Sequence, residues 1–435
     1  MLDRYQNKTI LFGLSAFGLW ARAPELFSSP RFWAEEGARY FPYALEHGFW
    51  SALMFLDPRA GYLDVTRNLS AGLASLVPLA YAPYVTTYIA YVVQLIACFI
   101  IIYGRSLIFD NYGRKLLACI IVIFAPSVLA EVWLNTINSM TWFGLIGFLI
   151  LIDQVSLLSH RKVIFYRVVL AVGALSGPYV CMLTPIYWLI ALRDKTRDTM
   201  INASILLCGL AIHGVILVYY LFSGVLNEKR FHSIDLIDAL DSIFWNHIAR
   251  PIFGSEYPVR VLLDFISAPY IGKRFVVVLL LIILVGAAIF QLIYKRSYRF
   301  TYTPAFFTAA SWFLISIGTT IASYNNNPVG RYAVLPGWIV LFFLLNFTRP
   351  FRLKFAGVVF SCLLVPALGI GLMSYSLGKP VLCDGRNWRQ GVQFLVAGRE
   401  ATKTGENGSI HETGSVRPYK VKICPSGLYV ELPTI

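Results

Sequence analysis

Long apolar runs alternate with short polar connectors along most of this chain. Eleven runs, over 9–27, 84–104, 114–131, 137–157, 162–177, 179–193, 199–222, 271–294, 303–322, 331–347 and 354–375, approach the ~20 residues that cross a bilayer as a helix. Stretches such as Phe275–Leu284 and Trp338–Leu345 are apolar at consecutive positions. A spanning β-barrel, apolar at every second position, is thereby excluded. The pattern predicts an all-α polytopic integral membrane protein of about 11 transmembrane helices. Asn68–Tyr81 is also apolar, yet a crossing there would move Arg105–Lys115 to the other side, and Pro78 and Ala82-Pro83 interrupt it. We read it as a re-entrant or interfacial helix, which is tolerated at membrane depth where protein or a wet cavity covers it. Arg4 and Lys8 precede the first run, and Ala21-Arg22-Ala23 resembles a signal-peptidase site. Removing that run would break the alternation of basic segments, so it is expected to remain as the first span.

Composition agrees. The 435 residues are 57% hydrophobic and only 14% charged, against about 25% charged in soluble domains. The net charge of +14 would suggest nucleic acid if it were spread over one surface, but its location decides otherwise. With the N-terminus inside, the segments 1–8, 105–115, 153–167, 193–198, 295–299 and 349–354 hold 17 Lys and Arg against 5 acids. The charge is therefore topology, with basic residues on the cytoplasmic side and the C-terminus periplasmic. No nucleic-acid partner is expected; membrane lipids are. Cys98, Cys119, Cys181, Cys208 and Cys362 lie in apolar runs as packing residues. Cys383 and Cys424 fall in the polar tail, where an exported pair is expected to form a disulfide. The six histidines are scattered and no CxxC occurs, so no metal site is expected.

Three outer stretches exceed simple connectors: 28–67, 223–270 and the tail 376–435. Long loops on a rigid scaffold are where function concentrates. This divides the chain into a transmembrane domain, 1–375, and a small α+β periplasmic domain, 376–435. In the latter, Trp388, Val392 and Leu395 have helical spacing, and Val416–Ile423 and Leu428–Leu432 alternate as strands around Pro425-Ser426-Gly427. The inner connectors contain neither GxxxxGK[ST] nor GxGxxG, so no nucleotide cradle is expected.

The first outer loop carries the densest chemistry. Ser29 can cap a helix with Pro30 at its first position; Pro42 kinks or ends it, or else Gly48 stops it. Helical spacing puts Glu36, Arg39, Tyr40 and Tyr43 on one face and turns Glu35 toward Arg31 and Arg39. Glu36 is then the candidate general base and Glu35 the ion-pair partner. Asp57, Arg59, Asp64 and Arg67 follow within eleven residues. Their arginines suit headgroup contact or bidentate phosphate binding. Glu131, Asn135, Asn138, Tyr179, His247, Arg250, Arg331 and Tyr332 cluster at the same outer side, which predicts an outward polar cavity beneath the acidic loop.

The chain resembles the GT-C superfamily, polytopic glycosyltransferases that take sugars from polyprenyl phosphates. The resemblance rests on Phe32-Trp33-Ala34-Glu35-Glu36 close behind the first span, on Gly330-Arg331-Tyr332 opening a late one, and on a polar domain after the last. The first of these and Gly61-Tyr62-Leu63…Arg67 also look like bacterial and phage-encoded proteins that decorate O-antigen. The resemblance implies transfer of a hexose, glucose in the O-antigen relatives, to a lipid-linked or surface polysaccharide acceptor at the periplasmic face of a bacterial inner membrane. It implies Glu36 or Glu35 in catalysis and Arg331 at the donor phosphate, with inversion. It calls for no cofactor, although some members of the superfamily use a divalent metal. The rival class is a lipid-linked glycan flippase or transporter, but the spans 84–104, 271–294 and 354–375 hold no acid away from their ends.

Overall fold

The computed structural model describes residues 2–106, 108–124, 129–224, 236–254, 303–323, 330–347, 354–373, 388–390, 392–393, 419–423 and 428–432. These residues are mostly helical. Helices of eight residues or more are, in chain order, α1 Leu2–Ala21, α2 Phe41–Leu53, α3 Val65–Ala74, α4 Ala82–Tyr103, α5 Tyr112–Phe124, α6 Ser139–Leu151, α7 His160–Ala174, α8 Thr184–Asp194, α9 Arg197–Phe222, α10 Leu236–Ile243, α11 Thr303–Ala322, α12 Arg331–Phe347 and α13 Lys354–Met373. Strands β1 Tyr419–Ile423 and β2 Leu428–Leu432 pair antiparallel, with Val421 opposite Val430. The expected span 271–294, Cys383 and Cys424 lie outside the described residues, as does most of 223–270.

Two described helices are long and apolar enough to cross a membrane, Leu79–Tyr103 and Arg197–Phe222. Helices α5 and α6 have 13 residues each, a rise of ~20 Å against a hydrocarbon core of ~30 Å. α3 has ten residues, half the core thickness, and turns back through Pro78 into α4. Its face toward the protein is polar: Thr66, Arg67, Asn68 and Ser70 are all buried. Ser70 bonds Thr136 (2.8 Å), and Asn68 donates to the carbonyls of Leu53 and Phe55.

α6 is buried on every side. Its bulky residues stack with those of α12 and the 129–138 segment; Trp142 lies 4.7 Å from Trp338 and 5.7 Å from Trp133. The C-terminal ends of α4 and α12 gather basic side chains. Lys115 Nζ donates to the carbonyls of Ile102 (2.6 Å) and Gly104 (2.9 Å), Lys162 to Tyr103 (2.9 Å), and Arg114 to Leu345 (2.6 Å). Cations there satisfy carbonyls that have no partner within the helix and oppose the helix dipole. Charges read from sequence as topology thus also terminate helices.

Candidate functional site

The other end of the bundle, where α6 and α12 begin, brings four segments together. The first is 29–40, where the structure departs from the expected helix. Ser29 closes a short turn, Glu25–Ser28, instead of opening a helix. Ala34 stands at φ +46°, outside the α basin, and Glu36–Tyr40 winds as a π turn that leads into α2. A proline inside a helix removes one donor and crowds the carbonyl four residues earlier. A widened turn directly before Pro42 accommodates both. Gly48 at φ +79° breaks α2 where the sequence placed a stop.

The π turn resets which side chains share a face. Glu36 points inward and is fully buried. Its Oε2 accepts from Trp33 N (3.0 Å); its Oε1 accepts from Thr136 N (2.9 Å) and from the Thr136 hydroxyl. Burial pushes its carboxyl upward in pKa, opposed by those bonds and by Arg31. Glu36 therefore joins the first loop to the 129–138 segment. The expected pairing of Glu35 with Arg31 or Arg39 is not formed: Arg39 pairs with Asp57, and Arg31 lies over the Trp33 ring (4.4 Å) within the field of Glu36. A 3.6-residue period had placed Arg39 beside Glu35, and the π turn rotates it away. Glu35 is half-buried and forms no ion pair among the described residues.

Asp64 and Arg67 form the second segment. Asp64 caps α3, accepting from Arg67 N (3.0 Å), and its other oxygen lies 2.9 Å from Arg67 Nη2. Arg67 also donates to Tyr40 Oη (2.7 Å) and the Ile137 carbonyl (2.8 Å). Its guanidinium lies 4.7 Å from the Tyr40 ring centre. Burial raises the Asp64 carboxyl to about 6 against the opposing field of Arg67. Thr66 fastens the same turn to Ser176, through Thr66 N (3.1 Å) and hydroxyl to hydroxyl (2.8 Å).

The third and fourth segments are 129–138 and the start of α12. Glu131 Oε2 accepts from Arg331 N (3.0 Å) and so caps α12. Asn135 and Asn138 donate their amides to the Glu131 carbonyl (2.7 and 2.5 Å). Gly330 supplies the left-handed turn (φ +62°), and a Cβ there would lie 2.7 Å from Glu131 Oε2. The Arg331 guanidinium donates to Tyr332 Oη (3.2 Å) and forms no ion pair with a described carboxylate. The Tyr62 hydroxyl accepts from Arg67 Nη2 (3.5 Å).

Two of the sequence-selected arginines lie apart from these contacts. Arg59 is exposed, and among the described residues only its backbone N is bonded, to Asp57 (3.0 Å); Arg250 bonds Asn246 (3.4 Å) on a segment packed against α12. Sequence reasoning missed Thr136, which ties the first segment to the third, and Ser176, which holds the second segment against the end of α7. Thr136 lies between Asn135 and Asn138, both already singled out; nothing marked Ser176. Among the described residues no group of three or more His, Cys, Asp or Glu is placed to hold a metal. A cavity of about 910 Å³ at the opposite end, lined by Asp153, Tyr187, Arg193, Asp198 and Asn202 among others, contains none of the selected residues.

Neither protein-family models nor curated proteins provide a match to the chain.

Proposed function

We propose that this chain is a multi-pass glycosyltransferase of a bacterial inner membrane. It moves a hexose from a polyprenyl-phosphate donor to a lipid-linked or surface polysaccharide acceptor on the periplasmic face. Eleven crossings, a cytoplasmic N-terminus and a periplasmic tail belong to this reading. The observation that carries it is a pairing of availability. Glu35, a half-buried carboxylate, and Arg331, a guanidinium, each without an ion pair among the described residues, flank one continuous bonded path. The path runs from Glu36 to Thr136, along 131–136, and from Glu131 to the first residue of α12.

In this reading Glu35 takes the proton from the acceptor hydroxyl as that oxygen bonds to the anomeric carbon. The bond from that carbon to the phosphate oxygen breaks with inversion, and Arg331 compensates the departing phosphate. Glu36, enclosed by three donors, holds the turn in place. Purified protein given polyprenyl-phosphate hexose and acceptor tests the assignment. Glu35→Gln should lower turnover by roughly 10²–10⁴-fold with donor binding intact. Glu36→Gln should instead lower the yield of folded protein, because its amide places an N–H against the N–H of Trp33 or Thr136. Full turnover by Glu35→Gln would remove it as the base.

A further inference from the structure

The turn that carries Glu35 adopts two unfavourable conformations in succession, a left-handed Ala34 and the π turn 36–40. Such geometry persists only where surrounding structure over-determines it. Glu36 supplies one restraint from inside. A second comes from the far end of the chain. Phe32 and Phe41 bracket the turn, both fully buried, with ring centres 4.5 Å apart. Trp388 closes on both, edge to face, at 5.1 and 6.3 Å. Its indole Nε1 donates to the Leu79 carbonyl (2.8 Å), just before α4. Arg389 lies over the rings of Tyr81 (4.8 Å) and Tyr84 (5.3 Å). Val392, one helical turn on, is buried in the same cluster, and β2 runs beside the π turn and α2.

We infer that Trp388 is a positioning residue: it clamps both ends of the turn and thereby fixes the direction of the Glu35 carboxylate. The described part of the tail around Trp388 and β2 is then a wall of the site. The inference rests on the transferase reading for its kinetic consequence, but the clamp can be observed without it. Edge-to-face aromatic contacts and a buried indole donor each favour one ring placement, and small misplacement of a reacting group costs up to ~10²-fold in rate.

The test uses the full-length protein in lipid nanodiscs, with variants Trp388→Ala and Trp388→Phe. Leu45, half-buried against the clamp, is replaced by Cys as a reporter for a membrane-impermeant maleimide; the same chains without that replacement give the background. Trp388→Ala should raise Leu45→Cys labelling several-fold. It should lower turnover per folded molecule by roughly 10–10²-fold while the KM for polyprenyl-phosphate hexose stays within about twofold. Trp388→Phe, which keeps the ring contacts, should recover most of both. A merely structural role would lower the folded fraction and leave turnover per folded molecule unchanged. If Trp388→Ala does not accumulate, Trp388→Leu is scored in the same way. Unchanged labelling and unchanged turnover overturn the clamp. Increased labelling in a chain whose parent transfers no sugar supports the clamp and counts against the transferase.

Discussion

Arg67 and Arg331 lie at the same end of the bundle, yet they are built oppositely. Arg67 is buried, and its two terminal nitrogens are engaged by Tyr40, the Ile137 carbonyl and Asp64. Arg331 opens a helix whose first N–H is taken by Glu131, while its guanidinium holds only the Tyr332 hydroxyl and ring among the described residues. The adjacent glutamates repeat the contrast: Glu36 has three donors, whereas Glu35 has no ion pair among the described residues. A charged group whose needs are met within the protein is framework. One held in place with its charge uncompensated is where a ligand's opposite charge lowers the free energy.

The largest effect expected from this comparison is on stability, at Arg67. Arg67→Met leaves Asp64 buried without its counter-charge and the Ile137 carbonyl without its donor. A loss of ~3–5 kcal/mol is expected for breaking such a pair, seen as a collapse of the thermal unfolding midpoint in detergent. Adding Asp64→Asn should restore part of it. Arg331→Ala should leave that midpoint near wild type and weaken binding of polyprenyl-phosphate hexose by about tenfold or more, as losing a hydrogen bond to a charged group costs ~1.5–3 kcal/mol. If both variants unfold alike, the distinction between framework and ligand cation is lost.

How much of this was legible beforehand follows from the physics of each element. The end of α3 before Pro78 was visible because the residues ahead of a proline are turned away from the helical conformation. The break at Gly48 was visible because only glycine adopts that φ without strain. Asp64, Arg67, Glu131 and Arg331 were selected as charges at the polar ends of apolar runs, which needs no knowledge of contacts. The surroundings of Glu35 and Glu36 were not legible. Their directions depend on one left-handed alanine and one π turn, and a face drawn with a period of 3.6 cannot represent either. Trp388 and Val392 were visible as one apolar face of a tail helix, but the partner of that face is some 350 residues away in sequence.

Gly330→Ala probes the Arg331 side more finely. The substitution forces a left-handed alanine and brings its Cβ against Glu131, which must swing away and uncap α12. A cost of ~1–2 kcal/mol is expected from the backbone, together with a donor affinity reduced several-fold because Arg331 loses its fixed origin. An affinity equal to wild type would mean that the Glu131 cap does not set the position of Arg331.

The smallest effect is a pH slope that belongs to the Arg67 side. Asp64 has its carboxyl raised from the ordinary 3.8 to about 6, burial outweighing the attraction of Arg67. A raised carboxyl binds its proton in the folded chain after the unfolded chain has released it. Stability from this group is therefore full below the ordinary value and declines as pH rises to about 6. Glu36 is shifted in the same direction by the same cause, so its contribution adds. Asp64→Asn cannot titrate, and its unfolding midpoint should fall less between pH 4.5 and 6.5 than that of the wild type, by a few degrees, with the Glu36 part of the slope remaining. Subtracting the two curves cancels the carboxylates common to both. A variant curve that falls more steeply than the wild type would mean that Arg67 holds the Asp64 carboxyl below its ordinary value. The pair would then be a fully ionised salt bridge with a surplus of attraction, and burial would no longer be the dominant influence on the Asp64 carboxyl.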